Sequence, residues 1–310
     1  MNKNKVICIV GPTASGKTGL GIELAKKING EVISADSMQI YKNLNVGTAK
    51  VTEEEAQGIK HHIIDIFEEH EKFSVADFKA MCYDKIEEII NQGKTPIIVG
   101  GTGLYVSSVV DNMNFEEIEI DLEYRKELEN IAKEKGSDYL YNMLLEIDPE
   151  STKDIHKNNV KRVIRALEIA KNSSKLKSEH MEEENIRKNT EESKYDFSVF
   201  CIEWPRELLY DRINRRVDIM AKDGLVNEAR YVYDLKLDKE CTCMQAIGYK
   251  EFFPYFEGEK TLNECIEKLK QETRKYAKRQ MTWFNNKLSC IYLNGQDSKD
   301  SLVNTIIENI

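Results

Sequence analysis

The stretch that most restricts this 310-residue chain is VICIVGPTASGKTGLGIELAKK, Val6 to Lys27. The run KVICIV is continuously apolar after its first residue, as a strand buried in a parallel sheet would be. It leads directly into G-x-x-x-x-G-K-[ST], Gly11 to Thr18, and a helical pattern follows from Lys17 to Ile28. Gly11 and Gly16 let the backbone curl so that successive amides face phosphate oxygens, and the positive end of the next helix adds to them. Lys17 is suited to neutralise terminal phosphate oxygens and Thr18 to ligate magnesium. The chain is therefore built to hold phosphates, and the question is whether they belong to a nucleotide.

Strand and helix patterns alternate onward. EVISAD reads as a second strand, HHIIDI as a short third, and TPIIVGGTG as another ending in a glycine-rich turn. Between them VADFKAMCYDKIEEIINQG has helical spacing, with Ser74 as N-cap and Gly93 as stop. This alternation predicts an α/β fold, a doubly wound parallel sheet with its site at the strand carboxyl ends. From about Asn112 the texture changes: NFEEIEIDLEYRKELENIAKEKG, YLYNMLLEIDPE and DIHKNNVKRVIRALEIAK are charged helical stretches. NSSKLKSEHMEEENIRKNTEES has almost no large apolar residue and reads as a loop or mobile segment. YDFSVFCIEW resumes as a strand, and RINRRVDIMAKDG and Leu262 to Asn286 are helical. The expected organisation is a core of residues 1–112 and 197–310 with a helical insertion at 113–196.

A hydrophobic share of 41% and a charged share of 32% belong to a soluble globular chain. No apolar run approaches the roughly 18 residues that suggest a membrane span, and the basic start MNKNK meets Gly-Pro without a cleavage site, so no signal peptide is expected. Seven scattered cysteines, with Cys241 and Cys243 only two apart, fit reduced thiols and a cytoplasmic location better than a disulfide or zinc framework. The net charge of −9 speaks against a polyanionic partner until its distribution is considered. From Lys153 to Lys177 there are eight Lys or Arg and two acids, and TRKYAKRQMTWFNNK interleaves cations with Tyr276, Trp283 and Phe284. Cations neutralise phosphates and aromatic rings stack bases, a combination that suits single-stranded RNA or DNA, although a charged helix with its aromatics in the core has the same pattern.

Other candidates cluster at strand ends. Asp36 in SADSMQIY is placed to hold magnesium, to accept a proton from a nucleophile, or merely to cap a helix, and Asp65 is the rival magnesium acid. His61 and His62 read as structural. In VGGTGLY, three glycines around Thr102 allow close backbone approach, and the hydroxyl can donate to a phosphate or accept from an amine. Arg212, Arg215 and Arg216 form a basic helical face that either clamps a diphosphate or faces solvent.

GPTASGKT, ADSMQIY, GTAK, GGTGLY, RALE, QAIGYKE and TRKYAKRQMTWF occur here in the order and approximate spacing of the tRNA dimethylallyltransferase (tRNA isopentenyltransferase) family, which the chain resembles over nearly its whole length, in the bacterial form. That family moves a dimethylallyl group from dimethylallyl diphosphate to the exocyclic N6 amine of adenosine 37 in the tRNA anticodon loop. The resemblance implies that the phosphates held here are the leaving diphosphate, bound by Gly11, Pro12, Thr13, Ala14, Ser15, Gly16, Lys17 and Thr18, with Mg2+ on Thr18. It implies Asp36 as general base, Thr102 as the residue positioning the substrates, and Arg216 on the diphosphate. Contacts to tRNA fall on Asp36, Ser37, Met38 and Gln39, on Lys161, Arg162 and Arg165, on Gln245, Gly248, Tyr249 and Lys250, and on Lys278, Arg279, Gln280 and Trp283. The family's helical insertion clasps tRNA, which suits residues 113–196, and a monomer needing no membrane is expected.

Two departures stand out. The family often has HPND before the R-x-x-R-A-L-E helix, where this chain has HKNN, His156 to Asn159, and the chain ends soon after TWF without the zinc-finger appendage of some eukaryotic relatives. The rival functions are an adenylate isopentenyltransferase using free nucleotide, a P-loop small-molecule kinase, and an RNA-binding module whose P-loop is only a folding or switching element.

Overall fold

The computed structural model describes residues 3–115, 121–238 and 241–310. The chain divides into two compact units, residues 1–111 with 193–310, and residues 112–192.

The first unit opens with β1 (Lys5–Val10), α1 (Lys17–Ile28), β2 (Gly30–Ser34), α2 (Glu53–Ala56), β3 (His61–His62), α3 (Val75–Asn91), β4 (Thr95–Gly100) and α4 (Gly103–Val110). The second unit carries α5 (Leu122–Lys135), α6 (Ser137–Ile147), α7 (Val160–Asn172) and α8 (Lys177–Thr190). The first unit then resumes with β5 (Asp196–Glu203), α9 (Arg206–Lys222), α10 (Leu225–Asp234), α11 (Phe253–Phe256), α12 (Leu262–Lys287), β6 (Ile291–Asn294) and α13 (Lys299–Glu308).

The six strands form one parallel sheet in the order β3-β2-β4-β1-β5-β6. Successive side chains of β1 point to opposite faces, and each face has its own core. Val6, Cys8 and Val10 pack with Phe78, Ile86, Val106 and Phe284 of α3, α4 and α12. Ile7 and Ile9 pack with Leu20 and Leu24 of α1 and with Leu302, Val303 and Ile306 of α13. The result is a three-layer α/β/α unit, doubly wound as the alternation requires. Ser74 caps α3 in a reciprocal box with Asp77, each backbone N–H bonded to the other's side chain at 2.8 and 3.1 Å, and Gly93 ends the turn after it at φ +71°. The third strand stops after two residues because the backbone turns left-handed at Ile63 and Asp65. The strand β6 and helix α13 extend the core beyond anything the hydrophobic pattern announced.

The second unit packs α5, α6 and α7 around Leu128, Leu140, Leu144, Val163 and Leu167. The expected helix at NFEEIEI extends over 116–120, outside the described residues; α5 itself starts after Asp121, whose carboxylate accepts the Tyr124 N–H at 2.9 Å. The HKNN departure costs α7 no cap, since Asn159 Oδ1 accepts the Arg162 N–H at 3.4 Å. The polar segment expected as a loop is instead the helix α8. It buries no side chain among those described and is supported locally, by Glu179 on the Leu176 N–H at 2.6 Å and by Arg187 on Glu184 and Glu191 at 2.8 and 3.3 Å. Hydrophobic periodicity could not report such a helix. The first unit resumes at Ser193, earlier than 197, because Tyr195 is buried in its core beside Tyr83 and Phe197.

Candidate active site

Three neighbouring strand tips build the floor of the site. Gly11–Thr18 follows β1, Ala35–Gln39 follows β2, and Gly101–Thr102 follows β4, which lies between them. The chain leaves β1 for α1 on one face and β4 for α4 on the other, so a crevice opens where the connections diverge. At Gly100 a Cβ would strike the Ala35 carbonyl, so only glycine permits the approach. The Thr102 N–H donates to Ala35 O at 3.2 Å and its Oγ1 accepts the Ser37 N–H at 3.1 Å. Thr102 is thereby locked to the turn that carries Asp36, whose Oδ1 accepts the Met38 N–H at 2.9 Å. Asp36 is neither in a strand nor capping a helix; it makes an Asx turn at the cavity edge.

Two cations face that carboxylate. Lys17 folds back over the loop, its Nζ donating to Pro12 O at 3.2 Å. Burial and the neighbouring Arg216 push its ammonium down from 10.5 to about 8, against the pull of Asp36. Burial also lowers Arg216, again opposed by Asp36. Of the four arginines on α9, Arg216 alone lines the cavity. Arg212 braces the phosphate loop: its Nε donates to Ala14 O at 2.8 Å while its guanidinium lies 4.2 Å over the Trp204 ring, and Trp204 Nε1 donates to Ser15 O at 3.0 Å. Arg215 is exposed and pairs with Asp211 at 3.0 Å.

The cavity encloses about 480 Å³. Thr13, Asp36, Ser37, Arg216 and Arg279 make its polar side; Ile213, Val217 and Met220 of α9, with Ala246, Ile247 and Leu269, make an apolar one. Tyr276 of α12 also lines it, its hydroxyl facing Thr102 and Gln280; burial, with Asp36 adding to it, pushes that hydroxyl up to about 12. Gly47 and Thr48 form a further wall, held by residues the motifs did not reveal. Glu228 of α10 accepts the N–H groups of Asn45, Val46 and Gly47, each at 2.8 Å, together with the Tyr249 hydroxyl at 2.8 Å. Lys50 donates to Tyr41 O and Asn45 Oδ1 at 2.8 Å, and Gln39 Nε2 to Thr48 O at 3.2 Å. The GTAK stretch is thus a braced wall, and only its glycine, against the Tyr249 ring, carried a signal in the sequence.

Several expected contacts fall elsewhere. Tyr249 is 1% exposed and Gln280 5%, so neither side chain presents a surface to RNA. Trp283 is half-buried, its Nε1 donating to Ser107 Oγ at 3.0 Å, and Phe284 is in the core. The glycines around Thr102 admit these α12 side chains: a Cβ at Gly101 would meet Gln280, and one at Gly103 would meet Trp283. Asp65 pairs with Lys50 and does not line the cavity, so it is not a magnesium acid of this site. His62 is buried against Glu31 at 2.6 Å, a structural pair. Gln245, Gly248 and Lys250 line the cavity, with Lys250 Nζ on Gln245 O at 3.0 Å. Lys278 and Arg279 of α12 are exposed, as are Lys161 and Arg162 of α7 within the second unit. Arg165 lies 3.5 Å from Glu168, a carboxylate without exposure that Arg125 also holds by two bonds of 2.7 and 2.8 Å.

Among the described residues no group of three or more His, Cys, Asp or Glu side chains could hold a metal ion. The Thr18 hydroxyl at the start of α1, with Asp36 across the crevice, is too sparse a set to retain a cation alone. It suits an ion such as Mg2+ that keeps its waters and arrives with phosphates. All seven cysteines are free thiols, and among the described residues no helix is long and apolar enough to cross a membrane.

Comparisons with known proteins agree with this geometry. The IPP transferase family model matches residues 39–287. The tRNA dimethylallyltransferase of Acetivibrio thermocellus is 51% identical over 96% of this chain and 94% of its own. That of Bacillus subtilis is 47% identical over 92% and 89%. Among solved structures, the tRNA isopentenylpyrophosphate transferase of Bacillus halodurans superposes with a TM-score of 0.73 at 44% identity, covering 99% of this chain and 95% of that one. A eukaryotic dimethylallyltransferase acting on tRNA gives 0.80 at 32% identity, covering 99% and 80%. With a phosphate loop, an opposed carboxylate and an apolar wall meeting in one cavity, and with relatives matched over nearly its full length, the chain belongs to the IPP transferase family.

Proposed function

We infer that this chain transfers a dimethylallyl group from dimethylallyl diphosphate to the N6 amine of adenosine 37 in tRNA. The observation that carries the reading is the makeup of the cavity: Thr13 and Ala14 of the phosphate loop, Arg216 with Lys17 beside it, the Asp36 carboxylate that both cations face, and an apolar lining from α9 and residues 246–247. The N6 lone pair attacks C1 of the allyl group, the C1–O bond breaks, and diphosphate leaves with the bonding pair. The N6 proton passes to the Asp36 carboxylate, which a purine amine needs because it is a poor nucleophile. Lys17, Arg216 and the loop amides stabilise the charge growing on diphosphate. Ile213, Val217, Met220 and Leu269 hold the prenyl carbons and keep water from the allylic carbon, where charge also develops. Mg2+, held by the Thr18 hydroxyl together with the diphosphate, would neutralise further leaving-group charge.

The acceptor is the anticodon stem-loop, with the target base flipped out of its stack to reach the cavity. Exposed Lys161 and Arg162 in the helical unit, and Lys278 and Arg279 on α12, are the cations available to its phosphates. A monomer is the assembly proposed, and free thiols support a cytoplasmic location. The test is single-turnover transfer from radiolabelled dimethylallyl diphosphate to an anticodon stem-loop containing a run of adenines, with free AMP as the alternative acceptor and ATP as competitor. Label on the stem-loop alone is expected. Label on AMP would move the reading to nucleotide prenylation, and ATP hydrolysis without label to a kinase.

A further inference from the structure

We propose that Gln280, beyond any contact with RNA, is a positioning residue that sets the register between the diphosphate side and the acceptor side of the cavity. The proposal rests on the transfer reaction inferred above. The Gln280 side chain is 5% exposed. Its Oε1 accepts the Thr13 N–H at 2.9 Å, and its Nε2 donates to Gly101 O at 2.9 Å. Thr13 belongs to the loop that holds the leaving group. Gly101 immediately precedes Thr102, which is bonded to the turn carrying Asp36. One amide therefore ties both halves of the reaction to α12, with bonds of opposite polarity. A carboxylate could accept the first but not donate the second, and an ammonium the reverse.

The packing is specific to this side chain. A Cβ at Gly101 would run into Gln280 Nε2, so the turn has been kept bare for it. Tyr276 and Trp283, one helical turn before and after, face the same way, toward Thr102 and Ser107. Lys278 and Arg279, between them in sequence, are exposed. The inner stripe of α12 thus aligns the two reacting groups, while Lys278 meets solvent and Arg279, also exposed, borders the cavity. In-line displacement at C1 needs the amine, the carbon and the leaving oxygen aligned, and a shift of one ångström between Thr13 and Thr102 would spoil that line.

The experiment measures single-turnover transfer at saturating dimethylallyl diphosphate and stem-loop, with stem-loop Kd and thermal melting alongside, for Gln280→Ala, Gln280→Glu, Gly101→Ala and the double variant Gly101→Ala/Gln280→Ala. Gln280→Ala should lose about 100-fold in rate with stem-loop Kd changed less than about twofold. Gln280→Glu, which keeps one of the two bonds, should lose less. Gly101→Ala should match Gln280→Ala, and the double variant should be no slower than either, because both changes break the same link. A weaker stem-loop Kd with an unchanged saturated rate would make Gln280 an RNA contact and overturn the proposal, as would additive losses in the double variant. If Gln280→Ala melts early, the folded Gly101→Ala chain decides. Normal transfer by the parent chain alongside normal rates in the variants would sink this proposal alone; no transfer by the parent would sink it together with the reading of the site.

Discussion

The cavity of the α/β unit and the basic helix α7 of the helical unit hold positive charge in opposite ways. At the cavity, Lys17 and Arg216 are partly enclosed, forced close together, and opposed by the carboxylate of Asp36, with Glu55 also acting on Arg216. Enclosure costs them solvation, which is why Lys17 falls to about 8, and a bound anion repays that cost. On α7, Lys161 and Arg162 stand in solvent, while Arg165 leans on Glu168, already held by Arg125. The difference teaches what each region can do. Charges fixed in a small cavity can stabilise a developing charge at one place; charges in solvent can only attract, with a strength that salt removes.

The comparison breaks most sharply at Asp36. Asp36→Ala should lower the single-turnover rate by about 1,000-fold while leaving stem-loop affinity nearly unchanged. Normal turnover would mean that the carboxylate takes no proton and that the contrast between the regions is wrong. The reverse pattern belongs to α7. Lys161→Ala/Arg162→Ala should weaken stem-loop binding by about tenfold at moderate salt and flatten the plot of log Kd against log salt by about one to two, with the saturated rate preserved. Arg165→Ala should flatten it less, because Glu168 shares its charge. Equal slopes for all three would show that α7 faces solvent in the complex as well. The last effect is the dependence of diphosphate affinity on pH. Lys17 is near 8 in the free protein, and bound diphosphate raises it. Below pH 8 the lysine is charged with or without ligand, so affinity is flat. Above it binding must take up a proton, and affinity falls by up to about tenfold per unit until the bound-state value is passed. Lys17→Arg should remove that inflection, since a guanidinium stays charged; its persistence would assign the titration to another group.

Much of this was legible in the chain itself. The phosphate loop, the boundaries of α1, the cap on α3 and the parallel sheet follow from local patterns: glycines at fixed spacing, an apolar run, a Ser with an acid three residues on. Where structure depends on few or no buried side chains the pattern was silent. Helix α8, written almost wholly in polar residues, reads as a loop, and β6 has four residues of which only Leu293 is buried. Function showed the same division. Residue types at strand ends pointed to Lys17, Asp36 and Thr102, because phosphate and proton chemistry need those groups and strand tips are where such a sheet exposes them; Arg216, within α9, was separated from its neighbouring arginines only by the family resemblance.

The direction in which a side chain points across long sequence distance was settled only by folding. Gln280 and Lys278 are two residues apart on one helix, yet one is enclosed 267 residues from its partner Thr13 and the other meets water. Glu228 carries no motif and still fixes the wall from Asn45 to Gly47. A sequence declares what its neighbours in the chain can do together, because turns, caps and periodicity are local. Which distant groups satisfy one another's hydrogen bonds is decided when the core closes, since only then is a buried donor forced to find its acceptor.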